Sequence, residues 1–302
     1  MSKLIHSEKP AAQPKTGGQK QIAGRFKELR EKGNILRNSR VYLSGPMDFV
    51  ASREEEKEFG WRNRVSQFLM EKFDTAIYDP WNKPGVEGLQ DYGKEDEFST
   101  RKRQEWTYDE SMDGDRKRAE LCDEFWPTLH IDLRMTDTSD FLIAYCPTNI
   151  YSVGTVHEIA TARLQNKPVL FVTPPVTFPT YDKLRERLEK NGDKESLHLL
   201  NQLREEAPLR DNPKAIPSMW YMALIDAHYF FDGFGFADYA KEFGWREGAL
   251  DLHEKEFPPQ RPLLSYLEKL NDAIPPKYDL GREVYVDNVD WLVFEQPDKP
   301  ES

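Results

Sequence analysis

From residue 40 the chain alternates short apolar runs with stretches whose apolar residues recur at helical spacing. Arg40-Val41-Tyr42-Leu43-Ser44 runs into Gly45-Pro46, and a β-rich run closed by a turn signal predicts a strand. Ser52 then opens a predicted helix, with Glu55 three residues on as a capping box. Trp61, Val65, Phe68 and Leu69 give that helix one apolar face. Thr75-Ala76-Ile77-Tyr78 predicts a second strand, stopped by Asp79-Pro80. Residues 81–110 break the alternation: they are polar, with Gly85, Gly88, Gly93 and the basic cluster Arg101-Lys102-Arg103. An insertion of that length is a functional loop or a disordered one. A helix around 112–126 follows, then the apolar strand Asp140–Tyr145. A loop and helix span 152–166, and a strand over Pro168–Val172 is closed by Pro174-Pro175.

Strands separated by helices imply right-handed βαβ units and a parallel sheet. The expected class is therefore α/β, a flavodoxin-like or Rossmann-like sheet flanked by helices, with a long insertion and a mostly helical C-terminal extension. Strand order cannot be read from the pattern. Ligands in such sheets sit beyond the carboxyl ends of strands, which singles out the positions after Tyr42, Tyr78 and Tyr145. Three segments follow: a tail over 1–38, an α/β core over 39–175, and an extension over 176–302 that completes the core or forms an interface. Within the extension, 180–190 and 194–206 look helical, and 282–294 reads as a last strand or hairpin. Residues 217–250 are dense in aromatics, among them Trp220, Tyr221, Tyr229, Phe231, Phe234 and Phe236. Aromatics at that density point to core or subunit contact. Gly233-Phe234-Gly235 lacks the third glycine and preceding strand of a dinucleotide fingerprint.

Composition narrows the function classes. The 302 residues are 38% hydrophobic, 31% charged and 12% aromatic, a globular balance. No apolar run is long enough for a transmembrane helix and no signal-peptide core is present, so a cytoplasmic protein with no membrane partner is expected. The net charge of −11 argues against a nucleic-acid polymer as partner. It leaves room for a small anion at a helix N-terminus. Residues 1–37 carry nine Lys/Arg against three Glu, a net of +6, so the remainder carries −17. Residues 1–20 read as a disordered tail and 21–33 as a short basic helix. Cys122 and Cys146 fit neither a disulfide framework nor a zinc spacing, and the six histidines form no metal motif.

The segment that carries chemistry is Ser152-Val153-Gly154-Thr155-Val156-His157-Glu158. Pattern alone supports two readings. Thr155 and Glu158 form a T-x-x-E capping box, or free backbone N–H groups near Gly154 and Thr155 face a cleft into which Glu158 presents its carboxylate.

Three motifs in order resemble the nucleoside 2-deoxyribosyltransferase family. Tyr42-Leu43-Ser44-Gly45-Pro46-Met47 resembles its opening strand and turn. Asp132, with Asp140 heading the next strand, resembles its central aspartate segment. Gly154-Thr155-Val156-His157-Glu158-Ile159-Ala160 resembles its Gly-x-x-x-Glu-hydrophobic-small motif. The likeness spans about 40–175. It implies Glu158 as the nucleophile at the sugar's anomeric carbon, Asp132 as the acidic group assisting the leaving base, and Tyr42 as the residue orienting the nucleophile. A carboxylate beneath the anomeric carbon stabilises an oxocarbenium-like transition state and can bond to it covalently, while a second acid protonates the leaving group. This chemistry needs no metal and no organic cofactor.

Ser152 stands where many deoxyribosyltransferases carry an aspartate, and a hydroxyl there is more similar to the related nucleoside 5′-monophosphate N-glycosidases. Ser152, Gly154 and Thr155 then form a phosphate cradle, with Ser44 and Gly45 lining the opposite side. Tyr78, Asp79, Trp81 and Asn82 follow the second strand and are candidates for base contact. Asp140 is expected to support its strand start, and His157 to pack. The expected activity is cleavage of the N-glycosidic bond of a nucleoside or nucleoside 5′-monophosphate, with transfer to another base or to water. Two other readings stay open: an NAD glycohydrolase of the Toll/interleukin-receptor-like kind, and a non-catalytic nucleotide-binding or scaffold protein. A homo-oligomer is expected, with the aromatic segment 217–245 as its candidate surface.

Overall fold

A computed structural model describes residues 36–37, 39–47, 56, 58–82, 104–207 and 210–272. The basic tail, the Ser52–Glu55 capping box, most of the 81–110 insertion and the strand expected at 282–294 lie outside the described residues.

Five parallel strands form one sheet in the order β2-β1-β3-β4-β5: β1 Arg40–Ser44, β2 Ala76–Tyr78, β3 Phe141–Tyr145, β4 Val169–Val172 and β5 Phe230–Phe231. The central strands Val41–Ser44, Phe141–Ala144 and Val169–Val172 are wholly buried, as near-continuous apolar runs require when helices cover both faces of a parallel sheet. The edges are short, three residues in β2 and two in β5, which limits the unpaired backbone they present. The chain is an α/β protein with the doubly wound, flavodoxin-like strand order. The register sets Tyr42 opposite Leu142 on one side and Tyr78 on the other.

The helices follow from the crossovers. α1 (Trp61–Phe73) connects β1 to β2, α2 (Met112–Thr138) connects β2 to β3, and α3 (Val153–Leu164) connects β3 to β4. Right-handed crossovers running in opposite directions from β1 place α1 on one face and α2 with α3 on the other. The contacts agree, since α2 packs on both α3 and β1. α2 runs past the predicted end near residue 126. Pro127 lies inside it, and the helix continues to Thr138. A proline costs one backbone bond and a steric clash, but tertiary packing of the last turns on α3 and β1 outweighs it. Buried Lys167 then donates to the carbonyls of Thr136, at 2.7 Å, and Asp137, closing the helix C-terminus with a cation.

Beyond residue 175 come α4 (Pro179–Asn191), α5 (Lys194–Glu206), α6 (Met219–Leu224), the 3₁₀ turn Ala227–Tyr229, and then β5. Three more helices follow: α7 (Phe236–Phe243), α8 (Ala249–Glu256) and α9 (Leu263–Asp272). The sheet is therefore completed from within the extension. The aromatics there divide. Tyr229, Phe231, Phe234, Phe236 and Tyr239 are buried in the same core as the strands, while Met219 and Trp220 are exposed. The buried aromatics of the segment expected to offer an oligomer surface are thus internal, because they cover α1. Trp61 stacks on Phe234 with centroids 5.5 Å apart, and Phe68 meets Tyr239 edge-on at 5.0 Å.

Covering α1 on both sides buries two of its arginines. Arg64 donates twice from Nη1 to Asp251 on α8, at 2.8 and 2.7 Å, and from Nη2 to the Arg246 carbonyl at 2.7 Å. Glu254, also on α8, accepts from the backbone N–H groups of Phe234, Gly235 and Phe236. Gly235 sits at φ +79°, a conformation open to glycine. The amide cluster that a phosphate would need is thus filled by the chain's own carboxylate, which explains physically why this Gly-x-Gly is not a nucleotide loop.

Removing one partner of a buried ion pair strands the other charge. Asp251→Ala is expected to cost about 3–5 kcal/mol in urea unfolding, whereas Asp113→Ala, which breaks an exposed pair with Arg116 on α2, should leave the midpoint unmoved.

Candidate active site

The strand order reverses between β1 and β3, and the helices diverge there to opposite faces, the place where ligands of such sheets bind. Side chains alternate along a strand, and Tyr42 and Ser44 therefore share one face of β1 while Val41 and Leu43 take the other. α3 brings Glu158 over that first face. Tyr42 Oη donates to Glu158 Oε1 at 2.7 Å, and Ser44 Oγ donates to Glu158 Oε2. Both hydroxyl residues are fully buried and Glu158 is half-buried. Each carboxylate oxygen thus accepts from one of the two hydroxyls.

The T-x-x-E capping box is overturned. The N-cap of α3 is Ser152, Thr155 lies inside the first turn, and the Glu158 carboxylate reaches the sheet instead of its own backbone. Ser152 Oγ and Thr155 Oγ1 are bonded to each other at 2.8 Å, with Thr155 buried. A Cβ on Gly154 would meet nothing within 4 Å, so the backbone there faces open space. Ser44, expected on the opposite wall of a phosphate cradle, is committed to Glu158. Gly45 is packed rather than open: a Cβ would come within 2.8 Å of the Trp61 ring.

Asp132 lies on α2 rather than on a surface turn, because that helix outruns Pro127. It is half-buried, and its charge acts on Tyr42. The Tyr42 phenol is held well above its ordinary range by burial first, then by the negative charges of Glu158 and Asp132 and by the bond to Glu158, with Arg62 opposing. It therefore stays protonated and keeps donating.

Among residues 78–82, Asp79 has a structural role of its own. Asp79 is buried, and its carboxylate accepts from the Trp81 N–H and the Asn82 amide, both at 2.9 Å. That is an Asx-type turn closing β2. Tyr78 and Trp81 are half-buried and Asn82 is exposed. Asp140 accepts from the Arg40 N–H at 2.8 Å and pairs with its guanidinium at 2.7 Å, supporting the starts of β1 and β3. His157 is exposed rather than packed.

Two site neighbours escaped the sequence reading. Cys146, just past β3, feels the charge of Glu158, and the Tyr221 hydroxyl donates to its sulfur. Burial pushes this thiol far up, so it is a neutral group and not a thiolate nucleophile. Arg62 is the other. Its position three and seven residues before Val65 and Leu69 places it on the apolar face of α1, and a cation there was a readable signal.

Tyr42, Tyr145, Tyr239, Tyr221 and Tyr266 are all raised from 10.0, the last two up to about 12, with burial the first cause in each. Above pH 10 the unfolded chain therefore releases phenolic protons that the folded chain retains, and stability falls as pH rises. Urea midpoints should be level between pH 7 and 8, begin to fall as the Cys146 thiol of the unfolded chain ionises near 9, and decline further above 10; a flat profile to pH 11 would contradict the burial of these groups.

No family model, curated protein or solved structure matches the chain, so the chemistry of this site is argued from its own geometry.

Proposed function

We propose that this protein cleaves the N-glycosidic bond of a nucleoside or nucleoside 5′-monophosphate, as an enzyme of the nucleoside 2-deoxyribosyltransferase-like kind. The observation that carries the reading is the convergence of Tyr42 Oη and Ser44 Oγ on the two oxygens of Glu158, at the β1–β3 switch point. Two neutral donors orient a carboxylate without quenching its charge as a cationic partner would. They also stabilise it as the departing group when a glycosyl ester breaks down.

In this reading a Glu158 oxygen bonds to the anomeric carbon as the bond to the base nitrogen breaks. The electron pair leaves with the base, and Asp132 delivers a proton to it. Water or a second base then attacks the same carbon, its proton returns to Asp132, and Glu158 departs as carboxylate. Proton delivery of this kind is typically worth ~10²–10⁴ in rate. The Ser152–Thr155 hydroxyl pair and the open backbone at Gly154 support a 5′-phosphate at the start of α3. Tyr78 and Trp81 remain the candidates for base contact. We further propose a cytoplasmic homo-oligomer, on the exposed Met219 and Trp220 of α6; a light-scattering mass near 35.3 kDa would overturn the oligomer.

The test is chromatographic turnover of nucleosides, their 5′-monophosphates and NAD, with and without a free acceptor base. Free base should appear with wild type and vanish with Glu158→Gln. Tyr42→Phe and Ser44→Ala, which leave the nucleophile but loosen its aim, should each lose roughly ten- to hundredfold. A 5′-phosphate requirement selects hydrolysis of nucleotides, and base exchange selects transfer. Turnover that survives Glu158→Gln, or none on any substrate, sinks the reading.

A further inference from the structure

Arg62 is 2% exposed, lies on the buried face of α1, and has no role in the reaction as drawn. Its guanidinium reaches three backbone carbonyls at the end of β1: Nε to Leu43 at 3.2 Å, Nη2 to Gly45 at 2.7 Å and Nη1 to Pro46 at 3.2 Å. These carbonyls bracket Ser44, the residue whose hydroxyl holds one oxygen of Glu158. A planar fork with several fixed donors suits three carbonyls spread along a turn. Gly45 fits the same arrangement, since a Cβ there would press on Trp61 and come within 3.1 Å of the Arg62 Nη2.

We propose that Arg62 is the positioning residue of this site, bracing the turn that aims Ser44 at Glu158 while its charge keeps the Glu158 carboxylate ionised. The inference rests on Glu158 being the reactive carboxylate.

Tyr42 and Ser44 bond Glu158 from β1, the charge of Glu158 reaches Cys146 at the end of β3, and Asp132 on α2 acts on Tyr42. Arg62 acts on both Tyr42 and Glu158 from the opposite side of β1. It is shared with Glu56 and Asp79, at 3.8 and 3.9 Å. Those separations are long for ion pairs, and the short contacts go to carbonyls. The guanidinium is thus spent on the backbone in geometry and left available to the carboxylates as charge. Burial lowers its proton affinity, opposed by Asp79 and Glu56, yet a guanidinium stays protonated through the working range.

The test follows the Glu158 carboxyl by ¹³C NMR in glutamate-labelled protein, with its signal identified by its loss in Glu158→Gln. Arg62→Gln should move the Glu158 midpoint upward by roughly one pH unit. Arg62→Lys keeps the charge and loses the fork. Its midpoint should stay at the wild-type value, while amide exchange over 43–47 accelerates and turnover falls at least about tenfold. A merely structural arginine would destabilise both variants and leave the midpoint in place. An unmoved midpoint in folded Arg62→Gln overturns the electrostatic half. Unaltered exchange over 43–47 in Arg62→Lys overturns the brace, and this second variant decides if the first does not fold. Titration and exchange need no substrate. A wild type that turns over nothing would therefore remove the proposed activity while Arg62 is still judged.

Discussion

β1 pairs in parallel with β2 on one side and β3 on the other, and this double pairing is the constraint from which the rest follows. A central strand with neighbours reached in opposite directions must send its connections to opposite faces. The helices then part at its carboxyl end, where α3 meets the face of β1 that carries Tyr42 and Ser44. Glu158 enters there because α3 starts immediately beyond β3. A half-buried carboxylate at such a place has to be hydrogen-bonded, and Tyr42 and Ser44 on that face of β1 both carry hydroxyls.

The opposite face solves a different problem. α1 carries Arg62 and Arg64 as well as its apolar stripe, and covering them with the C-terminal helices withdraws both from water. Each then meets fixed acceptors: Arg64 meets Asp251 and the Arg246 carbonyl, and Arg62 meets three carbonyls of the β1 turn. Buried polar groups of this kind add little net stability, because desolvation offsets the attraction. Their effect is to penalise every arrangement in which the partners are apart. The extension beyond residue 175 is therefore tied to α1 by charge as well as by aromatic stacking, and α1 in turn is tied to the turn that carries Ser44.

This places the site between two supports of unlike character. On the α3 side the carboxylate is held by neutral donors that leave its charge intact. On the α1 side Arg62 lies behind the strand, bonded to the carbonyls of its turn.

What the sequence by itself determined is local. The four longer strands, α3, α4 and α5 follow from periodicity and turn residues, because apolar alternation, proline and glycine act within a few positions. Tyr42 and Glu158, singled out from short motifs, are brought together. Tertiary structure decided what depends on distant partners. Strand order was one such outcome, since pattern carries no register between strands. α2 continued through Pro127 because packing on α3 outweighed a local penalty. Ser44 turned to Glu158 and Asp79 to its own turn, because a buried hydroxyl or carboxylate takes the nearest complementary group that the fold supplies. Phe230-Phe231 became the fifth strand for the same reason: two residues are too few to show a period, and only an available edge on β4 makes them a strand.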